Sequence, residues 1–354
     1  MASTPLNQKL LAHGAMPGEY SGIETPSRFS DLSSEFRALT TTCAAYDLGW
    51  RAKIIVTGKD RIRWLNGMVT NNIKDLQLNH GNYSFWLNPQ GRIQGDLYVY
   101  NRGEYLLIDT DHSQLEALMN GLKRYIIMDD VQLTDATGKI TAIGVQGPKS
   151  REILKHAGIE AFERKAMEVT DLIWNNVGIS VTQMASQDFE TCEVWAAVDH
   201  IGKLWDALIE TGATPVGTNA LERFRIMIGF PKYGTDIRDR DLPQETKQNH
   251  ALNFSKGCYI GQEIVERIRS RGNVHRSFTG FTFTGEPPRP GAKLEAEGKD
   301  VGEITSIALV PSINGGSDRL LGLGYIRKEA LERGAKIQYS GGKAQPAKIP
   351  FPLE

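Results

Sequence analysis

Lys256-Gly257-Cys258-Tyr259-Ile260-Gly261-Gln262-Glu263 sets one thiol between small residues and a basic neighbour, directly ahead of a stretch with helical periodicity. Ile260, Ile264, Val265 and Ile268 fall on one side, Glu263 in the first turn, and Arg267, Arg269 and Arg271 near the end before Gly272. That is the order of charges and stop signals a helix favours. The pattern predicts Cys258 near the helix N-terminus, where unpaired N–H groups and Lys256 would favour a thiolate. A buried structural cysteine is the competing reading, because free cysteine is among the most often buried residue types.

Working outward, Lys53 to Val56 reads as a short strand, and Gly58-Lys59-Asp60 opens a helix with Ile62, Leu65 and Val69 on one face. Gly81 to Leu87 and Arg92 to Tyr100 are strand-like and joined by Asn88-Pro89-Gln90-Gly91, which has proline and glycine where a type I turn favours them. Glu104 to Asp109 supplies a third strand, and Ser113-Gln114-Leu115-Glu116 has the form of a capping box. A similar order recurs: a strand at Ile140 to Gln146, a helix opened by Pro148, strands at Gly178 to Met184 and Cys192 to Val198, and a helix from Ile201 to Thr211. Two related α+β units are therefore expected, covering 1–275 with a division near 135. After Arg276, strand-like pieces at Phe278 to Phe283, Val301 to Ile307 and Leu320 to Tyr325, separated by Pro and Gly, predict a small β-barrel over 276–354.

Composition narrows the function classes. A chain of 354 residues exceeds one ordinary core, and a formal net charge of -1 offers no bulk attraction to nucleic acid or an anionic membrane. No apolar run approaches the roughly 20 residues a membrane helix needs, and the start carries no charged segment followed by an apolar one, so a cytoplasmic protein is expected. The three cysteines, Cys43, Cys192 and Cys258, are odd in number and far apart, which argues against a disulfide framework, and they lack the spacing of a zinc or cluster site.

The eight-residue stretch around Cys258 resembles the signature K-G-C-Y-x-G-Q-E of YgfZ-type folate-binding proteins, relatives of the glycine-cleavage T-protein (aminomethyltransferase). Gly14-Ala15, Lys53 to Gly58, Thr70-Asn71-Asn72, Gln146-Gly147-Pro148, Pro231 to Asp236, Pro243-Gln244-Glu245, Pro290-Gly291-Ala292 and Val301 to Ser306 look like further landmarks of that superfamily. The resemblance implies an α+β fold with three domains in a ring around a tetrahydrofolate pocket, and support of iron-sulfur cluster assembly or repair in client proteins. Departures separate the two branches. Gly91-Arg92-Ile93-Gln94-Gly95-Asp96 keeps only the second of two adjacent T-protein carboxylates. A Tyr-Thr-Gly-Glu segment is not recognisable near Ser186 to Glu190, and Met227 replaces the glutamate of an Arg-x-Glu-x-Gly pattern.

A folate pocket needs an apolar slot, a carboxylate for the pterin's amidine-like edge, and cations for the glutamate tail. Asp96 lies where strand alternation puts Ile93 and Leu97 on one face and Gln94, Asp96 and Tyr98 on the other, and an isolated surface aspartate is its competing reading. Arg225, on a helix with Leu221 and Phe224, would clamp a carboxylate, or else pair internally with Glu222 or Asp236. Tyr233 would stack on or hydrogen-bond the ligand, or do the same for stability. Arg267, Arg269, Arg271, His275 and Arg276 read first as helix-end charge and solvation, and second as a surface for a polyglutamate tail or an acidic partner. Gly322-Leu323-Gly324 lacks the third glycine and the βαβ setting of a dinucleotide fingerprint. The leading expectation is a tetrahydrofolate-binding protein that supports assembly or repair of iron-sulfur clusters in client enzymes, with Cys258 as its reactive thiol, the missing carboxylates counting against aminomethyl transfer. The alternatives are an aminomethyltransferase and a folate-binding interaction module without catalysis.

Overall fold

The computed structural model describes residues 2–160, 165–184, 189–272 and 274–353. The chain forms two compact units, one of Met1–Gly67, Asn71–Ser84 and Leu97–Leu221, the other of Met68–Thr70, Phe85–Asp96 and Glu222–Glu354.

The first unit is built on antiparallel sheets. One runs, in order, Val169–Trp174, Val177–Gln183, Thr191–Ala197, Ile140–Gln146, Ala44–Asp47 and Thr214–Pro215, the last pair being parallel. Strand Ile140–Gln146 is paired on both sides and buried along almost its whole length, Thr141 and Gln146 included. Helix Val198–Glu210 buries Ile201, Leu204, Trp205 and Leu208, one stripe at helical spacing, in the core around Val181 and Val194. Each fully buried aliphatic side chain there contributes about 1.5–3 kcal/mol. In a second sheet, Arg51–Thr57 lies between Leu106–Asp111 and Gln132–Asp135. The capping box expected at Ser113 does not form. A 3-10 turn over His112–Gln114 precedes helix Leu115–Lys123, so Gln114 occupies the N-cap and no side chain caps it.

The second unit contains a closed barrel with strand order Arg276–Gly285, Arg319–Arg327, Lys299–Val310, Lys293–Ala296, Ile337–Tyr339 and Gly342–Ala347. Phe281, Leu294, Ile304, Ile326 and Ile337 fill its interior. Three of the six strands were expected from the sequence. The other three are short and carry few apolar residues: Lys293–Ala296 buries only Leu294 and Ala296, and Gly342–Ala347 contains lysine and proline. Gly322 and Gly324 belong to strand Arg319–Arg327, where a Cβ on Gly324 would lie 2.2 Å from the Glu303 carbonyl oxygen. Close strand approach is therefore their reason.

Candidate functional site

In the second unit the site begins at a turn. Gly91 N–H donates to the Asn88 carbonyl at 2.9 Å, and Gly91 has φ +69, so Asn88-Pro89-Gln90-Gly91 closes as a tight turn ending in a left-handed glycine. The signature segment packs directly on it. A Cβ on Gly261 would lie 2.6 Å from the Asn88 carbonyl oxygen, and one on Gly91 would lie 2.8 Å from Ile264 Cβ. The second glycine of K-G-C-Y-x-G-Q-E is thus required by backbone approach to this turn. Along strand Ile93–Asn101 burial alternates, leaving Asp96 half-buried beside buried Gly95 and Leu97, as the residue pattern predicted.

Tyr233 sits in a turn in which the Lys232 carbonyl accepts the N–H groups of Thr235, Asp236 and Ile237 at 3.2, 2.7 and 3.0 Å. Burial pushes its phenol up to about 12, and the charges of Asp239, Asp96 and Asp241 add to the shift. Tyr233 is therefore a hydroxyl donor at neutral pH and an electrostatic neighbour of Asp96. The charge of Asp96 thus bears on Tyr233, whereas the third candidate, Arg225, is engaged by protein groups.

Arg225 is nine-tenths buried and its guanidinium bonds to protein groups. Nε donates to Glu222 Oε2 at 3.0 Å, Nη1 to Asp236 Oδ2 and the Phe230 carbonyl, both at 2.6 Å, and Nη2 to Ser306 Oγ at 2.9 Å. Glu222 and Asp236 were the internal partners named from the sequence. Asp236 is fully buried and also accepts from Lys232 N–H at 3.0 Å, from Ser306 Oγ at 2.7 Å and from Thr305 Oγ1. Together these bonds tie the Tyr233 turn to barrel strand Lys299–Val310.

Around the thiol the geometry corrects two premises. The helix runs Gln262–Arg271 with Gly261 at its N-cap, so Cys258 precedes its first turn by four residues. Lys256 is only 9% exposed; its Nζ donates to the Val69 carbonyl and lies 4.9 Å from the centre of the Tyr259 ring. Burial lowers the Lys256 ammonium to about 7. Cys258 itself is exposed, whereas Cys43 and Cys192 are buried. At the helix end, Gly272 takes the left-handed C-cap and Arg269 lies 4.5 Å over the Phe254 ring.

Sequence reasoning missed a carboxylate–guanidinium cluster beside Tyr233. Arg276 binds Asp241 Oδ1 through Nη2 at 2.6 Å and Glu245 through Nε and Nη2, each at 2.9 Å. Glu303 accepts from Arg240 Nη2 at 2.7 Å and from Arg238 Nη2. The alternation Arg238-Asp239-Arg240-Asp241 was the available signal. Of the segment near Ser186 to Glu190, residues 186–188 lie outside the described residues. Glu190 Oε1 accepts from Arg151 Nε at 3.1 Å. No group of three or more metal-ligating side chains stands together among the described residues, and none of their helices is long and apolar enough to cross a membrane.

The family model described as the GCVT N-terminal domain matches residues 6–256. The chain belongs to the GCVT family. It is 27% identical to an aminomethyltransferase of Chloroherpeton thalassium, over 99% of both chains. It is also 27% identical to an aminomethyltransferase of Rippkaea orientalis, over 95% of this chain and 92% of that one. The solved structure of the glycine cleavage system aminomethyltransferase T from Bartonella henselae superposes with a TM-score of 0.88, covering 99% of this chain and 98% of that chain at 19% identity. The mixed α+β fold of this GCVT protein, with its closed six-stranded barrel, is therefore a T-protein fold.

Proposed function

We propose that this GCVT protein binds a tetrahydrofolate and serves one-carbon transfer of the aminomethyltransferase type. The observation that carries this reading is the retained carboxylate: Asp96 stands half-buried on strand Ile93–Asn101, and its charge bears on the protonated phenol of Tyr233. A carboxylate there pairs with the pterin edge or orients the amine of an aminomethyl group. The phenol donates a hydrogen bond or stacks. Arg225 enters as the group that holds the Tyr233 turn in place. Transfer from an aminomethyl-lipoyl carrier would break the carbon–sulfur and carbon–nitrogen bonds and bridge the carbon between two folate nitrogens, whose two N–H protons leave on ammonia and on the freed lipoyl thiol. In such a reaction the protein chiefly supplies orientation, with the carboxylate tuning proton movement. The named relatives, all aminomethyltransferases, support this reading over the iron-sulfur one.

The test is ammonia release from an aminomethyl-lipoyl carrier protein with and without tetrahydrofolate. Folate-dependent release, reduced about 10²-fold or more in Asp96→Asn, is expected for a positioned acid–base group. Tetrahydrofolate binding without any release would reduce the reading to a folate-binding module.

The exposure of Cys258 within K-G-C-Y-x-G-Q-E favours a second reading, in which the thiol serves iron-sulfur assembly or repair in client proteins while folate occupies its own pocket. A deletion strain complemented with wild type or Cys258→Ser separates the two: normal activity of iron-sulfur enzymes in the deletion strain removes this reading.

A further inference from the structure

The backbone carbonyl of Asp241 accepts the Ile93 N–H at 3.1 Å, three residues before Asp96 on the same strand. Asp241 is held on every polar group it has. Its own N–H donates to the Arg238 carbonyl at 2.8 Å, and its fully buried carboxylate accepts from Arg238 N–H at 2.8 Å and from Arg276 Nη2 at 2.6 Å. Arg276 belongs to barrel strand Arg276–Gly285, grips Glu245 and packs its guanidinium 4.7 Å over the Tyr325 ring. The neighbouring Arg240 carbonyl accepts from Arg92. The loop 238–245 is therefore fastened to the barrel by side chains and to the start of the Asp96 strand by backbone. Tyr233 lies upstream on the same connection and has Asp96, Asp239 and Asp241 as its charged neighbours.

We propose that Asp241 is a positioning residue for this site, keeping the Asp96-bearing strand in register with the Tyr233 turn. The proposal rests on the reading that Asp96 contacts the folate. Asp241 acts through Ile93, not on the ligand. Without the carboxylate's two anchors the loop relaxes, the Ile93 amide loses its acceptor, and Asp96 drifts at a site where about 1 Å of misplacement is costly.

Two measurements on the full chain test this with Asp241→Asn, which keeps the side-chain shape, and Asp241→Ala. Amide hydrogen exchange at Ile93 should quicken about tenfold or more in either variant, while amides of strand Arg319–Arg327 keep their protection. Tetrahydrofolate titration of wild type, Asp241→Asn, Asp96→Asn and the double variant forms a cycle. Asp241→Asn should weaken binding about tenfold when Asp96 is present and less than about twofold when it is already Asn, because the two residues act in series. Unchanged Ile93 exchange overturns the proposal, and so does an equal loss of affinity in both backgrounds. If wild type binds no tetrahydrofolate, the reading of the site fails instead. Ile93 exchange then decides the anchoring by itself: faster exchange retains Asp241 as the strand's anchor, and unchanged exchange removes it.

Discussion

In the first unit Lys53 and Asp109 face each other across two neighbouring strands, as do Arg51 and Asp111 two pairs further along. In the second, Asp236 and Asp241 sit in a connecting loop and bind arginines from a helix and a barrel strand. Both regions bury carboxylates against cations, but the first forms a layer between regular strands and the second fastens irregular backbone. Arg51 Nε reaches Asp109 Oδ1 at 2.8 Å and Nη1 reaches Asp111 Oδ1 at 2.6 Å. Lys53 is 0% exposed, bonds to Asp109 and lies 5.5 Å over the Trp195 ring. Burial works against the Asp109 carboxylate, but Arg51 and Lys53 outweigh it and hold the carboxyl below its usual range. Burial pushes Glu193, in the neighbouring sheet, the other way, and the charge of Asp109 adds to that shift. The strand pairs set register and unit stability. The loop pairs set where Tyr233 and Ile93 sit.

That division predicts which charges can be exchanged for apolar groups. Lys53→Met leaves Asp109 buried without its ammonium and should cost about 3–5 kcal/mol in urea unfolding, whereas adding Asp109→Leu should recover most of the loss. The double variant should bind tetrahydrofolate as wild type does. Weakened binding by a stably folded double variant would erase the distinction between the two regions.

Backbone approach gives the next largest effect. Gly261 has φ +82 and no room for a Cβ beside Asn88, while Gly257 has φ +93 and nothing within 4 Å of where a Cβ would go. Gly261→Ala should therefore cost about 2–4 kcal/mol, the left-handed penalty plus overpacking. Gly257→Ala should cost about 1–2 kcal/mol, the left-handed penalty alone. Equal losses in chemical denaturation would mean that the Asn88 turn yields, and that the signature glycine is there for conformation only.

Much of this was legible in the residues. Alternation around Asp96, the Asn88 to Gly91 turn, the helix stop at Gly272 and the two α+β runs each announce themselves locally, because a short period or a single glycine sets them. The Arg51/Lys53 and Asp109/Asp111 spacings were also visible, as charges two apart in otherwise apolar strands, but their pairing depends on register. Asp241 was not legible. Its role depends on Arg276, 35 positions away, and on a carbonyl bond to Ile93, and neither leaves a periodic trace. The thiol shows the opposite failure: Lys256 looked like its cationic neighbour, yet the ammonium is buried on the Val69 carbonyl.

Lys256 provides a pH test of the second unit. Its folded value of about 7 lies below the ordinary lysine value of 10.5, so between those limits the unfolded chain binds more protons and stability rises with pH. The contribution is complete above the unfolded value and is lost as pH falls toward 7. Unfolding free energy measured from pH 7.5 to 9.5 should climb by about 1 kcal/mol per pH unit more in wild type than in Lys256→Met. Parallel curves would show that the ammonium stays charged on the Val69 carbonyl, and that this unit tolerates a buried cation as the Lys53 layer does.

The smallest effect on stability, and the sharpest contrast between the units, concerns the thiols. Cys43 and Cys192 lie in the core of the first unit, where burial pushes the Cys43 thiol up to about 12 and Cys192 adds to the shift. Cys258 is exposed in the second. A disulfide reagent should therefore titrate one thiol in the native protein and three in denaturant, and Cys258→Ser should abolish the native reaction while changing unfolding free energy by less than about 0.5 kcal/mol. Native labelling of Cys43 or Cys192 at a comparable rate would mean that the core of the first unit opens readily. Slow labelling of Cys258 would instead mean that the loop before Gly261 is covered in solution, which would take away the feature that sustains the iron-sulfur reading.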